Sequence, residues 1–213
     1  MQGLLVILLF VGFMGLMLVA VAGLSRWQAN RARANLAALA RDLGLQLHES
    51  PPVLGGLFPQ VPTASGQYAG RALRFYQFTT GSGKQRQTWQ ALGLACENPH
   101  ALTLHLGTQN MLTAIGVLLG MQDVQVGDPA FDRRFVVKTN APDFLRAALL
   151  PEIRAALLQG WSSRAVGPHV KLEGGEVVYA EIGSFADAAT PARMKAMLEP
   201  LVALATLPEV YRR

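Results

Sequence analysis

The chain is short of cysteine, of charge and of any recognisable catalytic signature. Cys96 is its one cysteine, so an internal disulfide is impossible and a structural zinc site built from several thiolates is excluded. A lone thiol is compatible with a reducing compartment. Charged residues make up only 15% of the 213 residues, and no carboxylate precedes Asp42. Gly81-Ser82-Gly83-Lys84 looks like the end of a phosphate-binding loop, but Phe78 stands where that motif needs its first glycine and Gln85 where it needs Ser or Thr. It reads as a hairpin turn. Gly160-Trp161-Ser162-Ser163-Arg164 lacks the second glycine of a nucleophile elbow. Cys96, His100 and His105 have neither helical i, i+4 spacing nor the spacing of paired thiolates. No metal and no cofactor are expected, and the chain leans away from enzymes.

What the chain has is a long apolar run. Leu4 to Leu24 holds 21 residues without a charged or hydrogen-bonding side chain, 18 of them apolar and three glycine. As a helix it would reach about 31 Å, close to the roughly 30 Å hydrocarbon core of a bilayer. Arg26, Arg31, Arg33 and Arg41 follow it without an intervening acid. Lys and Arg in short flanks stay on the cytoplasmic side. A single-pass signal-anchor with a cytoplasmic C-terminal domain is therefore expected. Trp27 beside Arg26 suits the interfacial level, where an indole sits among head groups and a guanidinium reaches outward. Arg26, Trp27, Arg31 and Arg33 are thus the expected membrane-interface residues. Two alternatives stay open: an exported domain, or cleavage after Ala20-Val21-Ala22, which has the A-x-A form of a signal-peptide site.

The net charge of +5 and the pI near 9.8 invite a nucleic-acid reading. The charges are not spread evenly, however. Four of the 19 basic residues lie between Arg26 and Arg41 and two are Arg212 and Arg213; the other 13 face all 14 acids. The excess is a membrane-proximal collar suited to anionic lipid, and no nucleic-acid partner is expected. The organisation expected is a transmembrane anchor over 1–25, a juxtamembrane helical stalk over 26–44 and one domain over 45–213. Leu36, Leu39, Ala40 and Leu43 form a stripe on the stalk, with Gly44 as its stop. The stripe packs on its own domain or serves as a homodimer seam.

Beyond the stalk, Ser50 to Gly66 carries four prolines and three glycines and reads as a loop. Arg71 to Thr79 and Gln87 to Cys96 read as a hairpin, and Ala101 to Leu106 as a strand with Leu102, Leu104 and Leu106 on one face and Thr103 and His105 on the other. Gln109 to Leu119 has helical spacing with Thr108 as N-cap. Asp123 to Val126 and Phe135 to Thr139 read as short strands around a loop from Gly127 to Arg134. Helices are expected at Pro142 to Leu149 and Pro151 to Gln159, where each Pro falls in a first turn. His169 to Glu173 and Glu176 to Ile182 flank the hairpin signal Gly174-Gly175. Pro191 to Leu207 reads as a helix interrupted at Pro200. Short neighbouring strands with helices between and after them predict an α+β domain with a mainly antiparallel sheet and packed helices.

The densest polar cluster is Asp128, Asp132, Arg133 and Arg134. Two carboxylates beside two guanidiniums form a candidate binding site for a metal or a phosphate. The structural alternative pairs Asp132 with Arg133, Arg134 or nearby backbone N–H groups and buries Phe131 and Phe135. Gly127-Asp128, Phe131-Asp132 and Phe135-Val136-Val137, followed by Leu149-Leu150-Pro151, Arg154 and Leu157-Leu158, resemble a pattern in an uncharacterised family of bacterial proteins with one N-terminal membrane helix and a domain of unknown function. The resemblance implies a membrane-anchored domain of unknown function and brings no catalytic residues; the localisation expected is the bacterial inner membrane. Two functions compete. One is a membrane-anchored, non-enzymatic module that binds a protein or lipid partner at the cytoplasmic face. The other is a tethered enzyme acting on a phosphorylated or lipid substrate through the Asp128/Asp132/Arg133/Arg134 cluster.

Overall fold

The computed structural model describes residues 2–51, 60–108, 111–112 and 122–212. A single helix, α1 (Gln2–Leu43), carries the apolar run and the stalk without a break. At 1.5 Å per residue it is about 63 Å long. It is long and apolar enough to cross a membrane, and Leu9, Phe10, Leu16 and Val19 are each more than 60% exposed to the surroundings. Docking onto the protein begins where that run ends. Ala29, Ala32, Leu36, Leu39 and Ala40 are buried at the three- and four-residue spacing that puts them on one face. The stripe is therefore covered by the chain's own domain. Gly44 (φ +67°) stops the helix, with Gly44 N–H donating to Arg41 C=O (3.4 Å) and Leu45 N–H to Ala40 C=O (2.8 Å), the paired bonds of a glycine-terminated helix.

The domain is built on one nine-stranded antiparallel sheet. Its strands are β1 (Gln46–His48), β2 (Thr63–Tyr68), β3 (Arg71–Thr80), β4 (Gln87–Ala95), β5 (Leu104–Gly107), β6 (Gln122–Val124), β7 (Val136–Thr139), β8 (Val166–Glu173) and β9 (Glu176–Ile182). They lie in the order β1-β2-β3-β4-β9-β8-β5-β7-β6. Among the described residues, further α-helices are α2 (Pro129–Arg134), α3 (Pro142–Ala148), α4 (Pro151–Gly160), α5 (Thr190–Ala196) and α6 (Leu198–Val210). The α+β class read from the sequence is the class observed.

All the described helices contribute to one core on the inner face of the sheet. Leu73 and Phe75 of β3, Leu92 and Leu94 of β4, Val177 and Tyr179 of β9 and Leu104 and Leu106 of β5 meet Leu36, Phe131, Leu145, Leu157 and Leu201 from the helices. The register puts them in rows: Phe75 opposite Leu92, Leu92 opposite Tyr179, Tyr179 opposite Val170. Period-2 alternation then sends the intervening residues to the outer face. A second, smaller cluster lies there: Trp89, Ala91, Met111 and Ala180 are buried, and Tyr76, Phe78, Val178 and Ile182 pack half-buried against them.

Four local expectations need correction. The loop expected from Ser50 to Gly66 ends early, because Thr63–Tyr68 is a strand; residues 52–59 lie outside the described residues. β2 has no apolar alternation to advertise it. It is fixed by tertiary contact: a Cβ on Gly66 would stand 2.8 Å from Leu45 Cδ2, so glycine lets the chain after α1 lie on the strand. His105, assigned to a polar strand face, is only 5% exposed. The loop expected from Gly127 to Arg134 contains α2, described below. The C-terminal helix breaks at Met197 and not at Pro200, which sits in the first turn of α6 where its missing N–H costs no intrahelical bond. Most of the helix expected over Gln109 to Leu119 lies outside the described residues. Its start is seen, with the N–H groups of Met111 and Leu112 both donating to Thr108 C=O (3.0 and 3.1 Å).

Candidate functional site

The polar cluster singled out in the sequence is dispersed by its own helix. Asp128 is the N-cap of α2: its Oδ1 accepts from Ala130 N–H (3.0 Å) and Phe131 N–H (3.2 Å), and its Oδ2 lies 3.2 Å from Arg154 Nε of α4. The Phe131 N–H, with those of Ala130 and the Arg154 guanidinium, holds the Asp128 carboxyl below the usual carboxylate range. Asp132 does not pair with Arg133 or Arg134. Its two oxygens accept the backbone N–H groups of Val126 and Gly127, each at 3.0 Å. Arg133 turns back to Pro129 C=O (2.9 Å), and Arg134 donates to Trp161 C=O (2.8 Å). The four charged groups end on separate partners and do not converge on a ligand. Beneath them Phe131, Phe135 and Trp161 form an aromatic chain with ring centroids 4.8 and 4.7 Å apart. The residues that carried the family resemblance are thus helix caps, core rings and the Asp128–Arg154 pair.

The expected interface residues are placed along the first turns of α1 beyond the apolar run. Trp27 is 53% exposed, and the Arg31 guanidinium lies over its ring at 4.8 Å from the centroid, a cation–π contact. Arg26 is exposed, and Arg33 pairs with Glu49 at 2.7 Å.

The same stretch of helix meets the sheet at one end of its central strands β3, β4 and β9. Ser25, Gln28 and Ala29 of α1 line a cavity of about 360 Å³ together with Val61, Gln77 of β3, Thr88 of β4, Gly183 and Ser184. Its lining is polar but carries no charge, so it offers hydroxyl and amide groups to a ligand without an ionic preference. Just behind it the inner face ends in a buried polar network. Gln90 Nε2 donates to Gly183 C=O (2.7 Å), and Glu181 accepts from Arg193 and from the Tyr179 hydroxyl (3.0 Å). Burial and the neighbouring Glu181 raise the pKa of Tyr179, so its hydroxyl stays a donor.

On the outer face at this end of the strands an aromatic row crosses the sheet. Phe78 stacks on Trp89 at 6.1 Å and 7°, and Tyr76 follows at 6.0 Å from Phe78. Trp89 is opposite Ile182, and Ile182 opposite Val166. Val166, at the end of the row, is 60% exposed. Sequence reading missed this row because RALRFYQFTT has aromatic residues at adjacent positions. The signal was there: adjacent Phe75 and Tyr76 put an aromatic ring on each face of the strand.

At the opposite end of the outer face, Arg74 donates to both oxygens of Glu176 (2.7 and 2.6 Å). The pair lies flat across the sheet because position 93 is glycine; a Cβ there would be 2.1 Å from Glu176 Oε1. Among the described residues, no three His, Cys, Asp or Glu side chains gather at one point. Burial pushes the Cys96 thiol up to about 11, which leaves it unreactive.

No protein-family model matches the chain, and no curated protein shows significant sequence similarity to it. Among solved structures it is similar in fold to the crystal structure of the mycobacterial trehalose monomycolate transport factor A, TtfA. That likeness has a TM-score of 0.55 at 12% identity and covers 88% of this chain and 97% of the other.

Proposed function

We propose that this protein is a non-enzymatic module, anchored in a bacterial inner membrane with its domain on the cytoplasmic side, that binds a lipid or a lipid-handling protein at the bilayer surface. One observation carries the reading. α1 runs unbroken from the apolar run into the core, so the end of the sheet with the uncharged polar cavity on its inner face and the aromatic row on its outer face is held where α1 leaves the bilayer. An uncharged polar cavity next to the exposed Leu24 and Trp27 of α1 matches the boundary between head groups and acyl chains. The fold shared with a mycobacterial lipid transport factor supports a role in lipid movement. The orientation rests on the Arg26, Arg31, Arg33 and Arg41 asymmetry. The family pattern from Gly127 to Leu158 belongs, in this reading, to a bacterial group sharing the anchor and the domain.

The test is a photo-crosslinking residue at Gln28, on the rim of the cavity, compared in cells with one at the exposed Glu152 of α4. Cross-links at Gln28 to a lipid or to one defined membrane protein, absent at Glu152, support the proposal. Equal, unspecific labelling at both positions refutes it. A C-terminal reporter active only in the periplasm should stay silent; strong activity reverses the orientation.

A further inference from the structure

The two strands β3 and β4 continue past the cavity. Leu45, just beyond the end of α1, packs on Gly66, which is opposite Leu73 of β3. Ser25 and Gln28, at the bilayer end of α1, line their cavity with Gln77 of β3. Going from Leu73 to Gln77 therefore means travelling towards the membrane. From Gln77 the strand runs three more residues to Thr80, roughly 10 Å at strand rise, before the turn through Gly83–Gln85. Ser25 is the first residue after the apolar run. The level of Ser25 to Ala29, just outside the apolar run, is thus that of the head-group layer, roughly 5–7 Å deep on each side of the hydrocarbon, and a tip that continues past the cavity meets that layer.

The tip has the chemistry for that place. Every residue from Thr79 to Gln87 is exposed, and the segment carries Lys84 and Arg86. No carboxylate occurs anywhere between Glu49 and Glu97. Neither cation joins an ion pair among the described residues. The turn is held in shape: Gln85 N–H donates to Ser82 C=O (3.1 Å), Arg86 N–H to Gly83 C=O (3.3 Å), and Trp89 Nε1 to Thr80 Oγ1 (2.7 Å). Gly81 has φ +73°, and a Cβ there would stand 2.4 Å from Gln85 C=O, so only glycine closes this turn.

We propose that the β3–β4 hairpin is a second membrane contact, with Lys84 and Arg86 seated on anionic lipid head groups, so that the domain is held at two points and cannot swing about α1. This rests on α1 spanning the bilayer and is independent of what the domain binds.

The full-length protein is tested in nanodiscs of zwitterionic lipid alone and with about one third phosphatidylglycerol. Ser82→Cys receives a fluorophore that the buried Cys96 will not take, and lipids carrying a head-group quencher report contact. Leu24→Cys serves as the anchor control. Strong quenching at Ser82 is expected only with anionic lipid, and the docked population should fall roughly fivefold for each of Lys84→Gln and Arg86→Gln. Quenching at Leu24 with none at Ser82 overturns the second contact and leaves the anchor standing. Quenching at Ser82 that ignores lipid charge and both substitutions overturns the electrostatic contact. No quenching at either position removes the anchor and the hairpin contact together.

Discussion

Arg193 holds Glu181 with two nitrogens, Nε at 2.9 Å and a terminal nitrogen at 2.7 Å from the same carboxylate oxygen. Glu181 is fully buried, while the Arg193 side chain keeps 15% of its surface exposed. Asp187, at 3.1 Å from the same guanidinium, completes the cluster. It closes the inner core at the end of the central strands where the sheet meets α1.

Removing one partner of such a pair strands a charge in low dielectric. Arg193→Met should cost about 3–5 kcal/mol, whereas the double change Glu181→Gln with Arg193→Met should recover most of it, because the amide still accepts from Tyr179 without carrying a charge. Thermal unfolding of the detergent-solubilised protein measures both. Equal losses in the single and double variants would show that packing, and not the buried charge, sets the cost.

Asp132 and Phe135 test whether the α2 region is structural. Phe135 is 4% exposed and wedged between Phe131 and Trp161. Phe135→Ala should lose about 3–5 kcal/mol. Asp132→Asn leaves one of the Val126 and Gly127 N–H donors facing an amide nitrogen and should lose about 1–3 kcal/mol. If Asp132→Asn melts like the wild type but abolishes the cellular function, the carboxylate has a chemical role and the enzyme reading returns.

His105 makes stability depend on pH in the acid range. Burial, with Lys171 adding to it, pushes its pKa down to about 4, and burial also lowers His169. A histidine with a folded-state pKa below its ordinary value binds its proton more weakly in the native chain than in the unfolded one. Its contribution is complete above about pH 6.5 and is lost as the pH falls from there towards 4. Between pH 7 and 5 the protein should lose about 2 kcal/mol, followed by denaturant titration at each pH. His105→Gln should flatten that slope. An unchanged slope would assign the loss to His169.

Much of the fold was legible from residue spacing because its determinants are local. The apolar run from Leu4 to Leu24, the stripe through Leu36, Leu39 and Ala40, the Gly174-Gly175 hairpin and the first-turn prolines of α3 and α4 each act within a few residues of themselves. The site was harder to see. Reading Asp128, Asp132, Arg133 and Arg134 as a cluster treated nearness in sequence as nearness in space. Once α2 forms, its free N-terminal N–H groups claim Asp128, and the incoming turn claims Asp132.

By itself, then, the sequence determined the helix that is long and apolar enough to cross a membrane, the class of the fold and most of its turns. The order of strands in the sheet decided the rest. Gln90 and Glu181 are neighbours only because β4 pairs with β9, across a long span of chain. The same pairing sets Trp89 against Ile182 and builds the aromatic row. Helix and turn preferences are short-range free energies that any stretch of chain expresses alone. Which strand lies beside which is decided by burying both faces of the sheet at once, and no local pattern carries that information.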